Sequence, residues 1–275
     1  MSRFIRLAIK LSAIITFGVL LSIVSHILIK GIPSLNPSLF QLEYTTDNVS
    51  LFPAMITTIM LIFLTLIIAT PIGVFTGFYL IEYAKKENRL VKIIRIATET
   101  LSGIPSIVYG LFGMLFFVIY LNFQYSLLAG TLTIGIMVLP LIIRSTEEAL
   151  LSVDNSLREG SFALGAGKLY TIFKIVLPAA MPGILSGIIL SIGRIVGETA
   201  ALMFTLGTAA KIPEGLFSSG RTLALHMYVL STEGIHVNES YATGIVLLAV
   251  VLIVNYISTL LSNKLAKGSR DGYKG

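Results

Sequence analysis

The sequence predicts an all-α protein that crosses a bilayer six times. Three observations lead there. Over 275 residues it is 55% apolar and 12% charged, with mean hydropathy +0.89. A soluble domain carries about 25% charged residues, so this chain cannot furnish a soluble fold with its polar surface. Six apolar runs approach the about 20 residues that a spanning helix needs. Sixteen of the 20 basic residues fall on one side when those runs are threaded through a membrane in alternation. That bias marks the cytoplasmic side and places both termini there. It also accounts for the net charge of +6 without a nucleic-acid partner.

The first run, residues 7–29, follows Arg3 and Arg6. It exceeds the about 7–15 apolar residues of a secretory signal, so it reads as an uncleaved span. The segment after it holds Pro33, Pro37 and Pro53 and reads as an ordered outer cap or an irregular loop. The second run is 54–81. Residues 82–103 carry Leu90, Ile93, Ile94 and Ala97 at helical spacing, which predicts an amphipathic helix on the cytoplasmic surface. Ser102 and Pro105 then start the third run, 104–121, because proline suits a first helical turn. Residues 122–126 alone separate it from the fourth run, 127–143, which predicts a tight antiparallel pair. The fifth run is 184–206 and the sixth 244–261, with a short outer helix expected over 223–230. One domain covers 1–275, with its core at 54–261. The chain has no cysteine, its three histidines lack ligand spacing, and no nucleophile–base pair is evident. A metal site and catalysis by this chain are therefore not expected.

The fifth run carries a polar stripe. At 100° per residue, Gly183, Gly187, Ser191, Arg194, Glu198, Ala201 and Thr205 fall within an arc of about 80°. Gly183-x3-Gly187 and Gly193-x3-Gly197 would permit close helix approach. A mid-span arginine costs about 2.5–3.5 kcal/mol on the translocon scale, so Arg194 should face protein or water. Its planar donors match an oxyanion, and Glu198, one turn on, could pair with it. Arg194, Glu198, Ser191 and Thr205 are the candidate substrate path. A structural ion pair that only fixes packing is the other reading.

Between the fourth and fifth runs lies a cytoplasmic stretch, 144–183, with four basic and four acidic residues. Ser156-Leu157-Arg158-Glu159 fits a capping box, so a helix starts near Leu157. Gly165 and Gly167 bound its end. A second helix, with Leu169, Ile172, Phe173 and Val176 on one face, is expected to stop at Pro178. Gly160-x4-Gly165 is not a phosphate loop, since Ala166 stands where lysine is required and no strand precedes.

In this stretch Glu159-Gly160-Ser161, three residues, Gly165, nine residues and Ile175-Val176-Leu177-Pro178 resemble the E-A-A-x3-G-x9-I-x-L-P signature of ABC importer permeases. Gly160 and Ser161 replace the two alanines. The resemblance implies a type I-like permease fold. It also implies coupling helices that sit in a groove of a separate ATP-hydrolysing subunit, through Glu159, Gly160, Ser161, Gly165, Ile175, Leu177 and Pro178. The runs 102–110, 156–160 and 193–200 resemble phosphate-specific transport (Pst) permeases, and 223–228 with Asn255-Tyr256 resemble the PstA-type subunit. That second resemblance implies ATP-driven phosphate import by alternating access across a bacterial cytoplasmic membrane. The implied partners are a PstC-type permease, two PstB-type ATP-binding subunits and an extracytoplasmic PstS-type phosphate-binding protein. ATP and magnesium would be held by the partners, with no cofactor in this chain. A permease for sulfate or molybdate, or a secondary transporter, is the alternative.

Overall fold

A computed structural model describes residues 3–84 and 88–271, with side chains described between 5 and 260. Lys85, Lys86 and Lys274, which contribute to the expected orientation, lie outside the described residues. In chain order the helices are α1 (Arg3–Gly31), α2 (Phe52–Tyr83), α3 (Arg89–Gly103), α4 (Ser106–Tyr120), α5 (Leu127–Leu151), α6 (Asn155–Ala163), α7 (Lys168–Val196), α8 (Ala200–Met203), α9 (Leu223–Glu233) and α10 (Val237–Asp271). No strand occurs among the described residues. Five helices (α1, α2, α5, α7 and α10) are long and apolar enough to cross a membrane by themselves. The expected third span, 104–121, falls on α4, which passes that test only together with α3, from which it is bent by 107° as in a broken span or a re-entrant loop.

Helix α5 is the axis of the bundle, with 67% of its apolar window buried. It starts at Ser126, whose side chain accepts the Ala129 N–H at 3.2 Å. On one side it meets α2 through Gly73 and Gly77. A Cβ on either glycine would lie 2.6 or 2.7 Å from Ile142 or Thr146. On the other side it meets α7 through Gly183 and Gly187, which face Ala149 and Ser145. Both seams use small residues one turn apart, the arrangement that lets helices approach where no water drives them together. Leu61, Ile134, Met137, Ile142, Ile195 and Leu202 fill the space between the three helices. Gly193 and Gly197 are different. Nothing lies within 4 Å of a Cβ on Gly193, so the second glycine pair makes no seam.

Three local expectations differ from the structure. Pro178 does not end a helix, because α7 runs unbroken from Lys168 to Val196. The turn before it, Ile172–Val176, is a wider π-turn. That widening accommodates the proline ring and its missing N–H without breaking the rod. Second, the fifth span ends before 206: α7 stops at Val196 with Gly197 as its cap, and α8 follows as a separate short helix. Third, α6 is capped by Asp154, not Ser156. The Asp154 carboxylate accepts the Ser156 N–H at 2.9 Å. That hydrogen bond holds the Asp154 carboxyl below the usual carboxylate range.

The surface helix α3 forms as expected, with Asn88 accepting the Leu90 N–H. Its packed face is Val91 and Ile94, whereas Leu90 and Ile93 point outward. α4 begins directly after Pro105. On the opposite side of the bundle, α9 packs with Leu39, Val49, Leu51 and Ala54 into an outer cap.

Candidate functional site

Arg194 lies in the last turn of α7, half-buried. It lines a cavity of about 380 Å³, walled by α3 through Arg95, Thr98, Glu99 and Ser102 and by α5 through Arg144, Glu147 and Glu148, so that three arginines share the lining with three glutamates. Two of the three arginines are neutralised there. Arg95 donates to Glu147 at 3.0 Å, and Arg144 donates to Glu148 at 3.2 Å. Arg194 has no carboxylate within ion-pair distance among the described residues.

The expected Arg194–Glu198 pair is therefore not formed. Glu198 lies past the end of α7, not one turn along it, and its carboxylate accepts the Ala201 N–H at 3.0 Å. It thereby satisfies a free donor at the start of α8, as a capping side chain does. Ser191 and Thr205 are fully buried, and each hydroxyl donates to a backbone carbonyl four residues earlier, that of Gly187 or Ala201. Thr205 packs where a Cβ on Gly113 would stand 2.7 Å away. The structure thus brings Arg194 to the cavity wall and leaves Glu198, Ser191 and Thr205 outside its lining.

The α6–α7 hairpin forms a second site. Helices α6 and α7 enclose a cleft of about 670 Å³ whose lining includes Gly160, Ser161, Gly165 and Ile175. Gly165 turns the chain with φ +82, a conformation that glycine adopts without steric cost. The buried Ser161 and Thr171 hydroxyls meet at 2.8 Å and fix the two helices together. Glu159 is exposed, while Leu177 and Pro178 are half-buried in the continuing α7. Leu164 at the tip is 90% exposed, and Leu169, Tyr170 and Phe173 are also exposed. An apolar tip beside an open cleft, at the bundle's charged end, fits a soluble partner better than it fits water.

Residues 69–270 match the family described as binding-protein-dependent transport system inner membrane component. The chain belongs to that family. A probable ABC transporter permease, YqgI of Bacillus subtilis, is 33% identical, with 93% of this chain and 94% of the relative covered. The phosphate transport system permease protein PstA 2 of Mycobacterium bovis is 32% identical over 90% of this chain and 81% of the relative. PstA 1 of Mycobacterium tuberculosis is 36% identical over 71% of this chain and 64% of its own length. Among solved structures, an inward-facing methionine ABC transporter matches with TM-score 0.60 at 18% identity, covering 78% of this chain and 94% of that one. At that identity the likeness establishes the permease fold alone.

For a permease of this family the hairpin cleft is the site that the signature residues predict. Four of those seven residues, Gly160, Ser161, Gly165 and Ile175, line it. The cavity around Arg194 is only partly visible in the sequence. Arg95, Arg144, Glu147 and Glu148 stand out there only as charges near span ends. The sign that could have found them is Pro140-x3-Arg144-x2-Glu147, which sets charge one turn beyond a proline at the inner end of a span.

Proposed function

We propose that this permease imports inorganic phosphate by alternating access, powered by ATP hydrolysis in partner subunits. Its relatives named as phosphate transport system permeases support the cargo. The single observation in this chain that carries the anion reading is Arg194, a half-buried guanidinium on a cavity wall with no carboxylate of its own. Such a group gains most from a ligand that offers oxygens in its plane. Ser191, one turn before Arg194 in α7, and Glu198 and Thr205, past the break at Gly197, would line the route when that break opens. Coupling runs through the hairpin, with Glu159, Gly160, Ser161, Gly165 and Ile175 at the ATPase, and Leu177 and Pro178 leading into α7.

In this proposal the complex holds a second, PstC-type permease, two PstB-type ATPases and an external PstS-type binding protein. ATP and magnesium act in the ATPases, and this chain needs no cofactor and catalyses no reaction itself. It sits in the bacterial cytoplasmic membrane with both termini inside.

The test is uptake and ATPase activity of the reconstituted complex with phosphate, sulfate or molybdate. Phosphate should stimulate both. Arg194→Gln should lower uptake about tenfold or more, since a charged hydrogen bond contributes about 1.5–3 kcal/mol, while the subunits still co-purify. Undiminished uptake by that variant would overturn the role of Arg194. Stronger stimulation by sulfate or molybdate would overturn the cargo. Gradient-driven transport by the purified chain alone would replace the mechanism with secondary transport.

A further inference from the structure

Arg158 lies in α6, one residue before the signature glutamate, and its side chain turns inward from the hairpin, 16% exposed. Its Nε and Nη2 donate to Glu82 Oε1 at 3.2 and 2.9 Å. Nη2 also donates to the Leu150 carbonyl at 2.9 Å. Nη1 donates to the Val153 carbonyl at 2.9 Å and to Asn155 Oδ1 at 3.3 Å. A guanidinium has five N–H groups, and five hydrogen bonds use them. Glu82 is the inner end of α2 and is itself only 11% exposed. The Leu150 carbonyl belongs to the last turn of α5 and that of Val153 to the link after it, where carbonyls lack helical partners and positive charge is favoured. Lys168, the first residue of α7, holds the same end of α2. It donates to the Glu82 carbonyl and sits 4.5 Å over the Tyr83 ring.

We infer that Arg158 is a positioning residue which keys the coupling hairpin to α5 and α2, giving ATPase-driven motion a second route into the bundle. The first route is covalent, from the hairpin along α7 to Arg194. The second passes through the Arg158 fork into α5, which supplies Arg144, Glu147 and Glu148 to the opposite wall of the same cavity. With both routes intact, the two walls move in register with the hairpin. Without Arg158, the hairpin would pull α7 alone. Lysine cannot replace it, because three donors at one point cannot span a carboxylate and two carbonyls. The inference rests on the reading that the hairpin receives force from an ATPase.

Two measurements on the complete reconstituted complex test it. The first is cargo moved per ATP hydrolysed. Arg158→Met and Arg158→Lys should assemble and keep ATPase activity, while transport per ATP falls about tenfold, the scale on which lost charged hydrogen bonds act. Glu82→Gln should fall less, because the two carbonyl contacts remain. The second uses the absence of cysteine. Spin labels at Ser152→Cys and Phe162→Cys report the α5–α6 distance with and without nucleotide. That distance should stay fixed in the parent and change with nucleotide in Arg158→Lys, a variant that keeps the charge should Arg158→Met fail to fold. An unchanged transport-to-ATP ratio in an assembled Arg158 variant, or an α5–α6 distance equally fixed in both, would overturn the inference. A complex that phosphate fails to stimulate would refute the cargo alone, because the nucleotide-driven distance does not depend on cargo.

Discussion

Gly187 and Gly193 belong to two glycine pairs that look alike in the sequence, yet the structure gives their substitutions opposite signs. Replacing glycine by alanine inside a helix gains about 0.8–1.0 kcal/mol of propensity. At Gly193 nothing within 4 Å meets the new methyl, so Gly193→Ala should stabilise the isolated chain by up to about that amount. At Gly187 the same methyl would overlap the Ser145 side chain, whose neighbouring backbone belongs to the most buried helix of the bundle. Overpacking of that kind costs about 1–3 kcal/mol. It exceeds the propensity gain because Ser145 Cβ cannot rotate away, so α5 and α7 must separate. Gly187→Ala should therefore be net destabilising, by up to about 2 kcal/mol. The assay is thermal unfolding of the purified chain in one detergent, comparing parent, Gly187→Ala, Gly193→Ala and the double variant. Opposite shifts that add in the double variant are expected. Equal shifts at the two positions would refute the claim that the α5–α7 seam, and not helix propensity, sets the role of these glycines.

Two further outcomes rest on named contacts. Gly165→Val should destabilise the hairpin by about 1 kcal/mol or more, because φ +82 is left-handed and β-branched residues resist it; faster proteolysis at the α6–α7 turn and weaker ATPase co-purification would show it, and unchanged proteolysis would count against it. His226 in the outer cap is fully buried, and burial first, then Arg221, lower its pKa from 6.5 to about 3. No hydrogen bond of normal geometry reaches either ring nitrogen, although the Val49 backbone nearby slightly favours the protonated form. The folded state thus prefers the neutral ring, and its stability is full above the free value and lost as pH falls from 6.5 toward 3. The slope approaches about 1.4 kcal/mol per pH unit for a single group. Melting of the parent should therefore drop between pH 6.5 and 5, and His226→Phe should flatten that drop; a slope that survives the substitution would assign it to another group.

The parts of this fold that are legible in the sequence are those set by local spacing. The surface helix α3, the Gly165 turn and the Gly183-x3-Gly187 seam depend on residues within one or two turns of each other. What stays hidden depends on partners far along the chain. Nothing near Arg158 announces Glu82, 76 residues away. Asp154 and Ser156 are both good caps two positions apart, and only the path of the link after α5 decides between them. The Gly193 and Gly183 pairs are chemically the same, and only the presence of Ser145 and Ala149 on a neighbouring helix distinguishes them.

The two breaks that the sequence misplaces alter the mechanism in opposite directions. A stop at Pro178 would have insulated the hairpin from the span, whereas the π-turn keeps α7 whole from Lys168 to Val196. At 1.5 Å per residue, the hairpin end of α7 at Lys168 and Arg194 are about 39 Å apart on one continuous helix. In the proposed coupling, a rotation imposed at Lys168 has a continuous helical path to Arg194. Continuity through Gly197 would instead have locked Arg194 and Glu198 into one turn, and no motion of the span could have changed their separation. The break places them on different rigid pieces, with Glu198 fixed to α8 through Ala201. Movement of α7 then changes how strongly that carboxylate competes for the guanidinium. A permease must bind its anion in one state and release it in another, and a counter-charge at variable distance supplies that difference where a permanent ion pair would not.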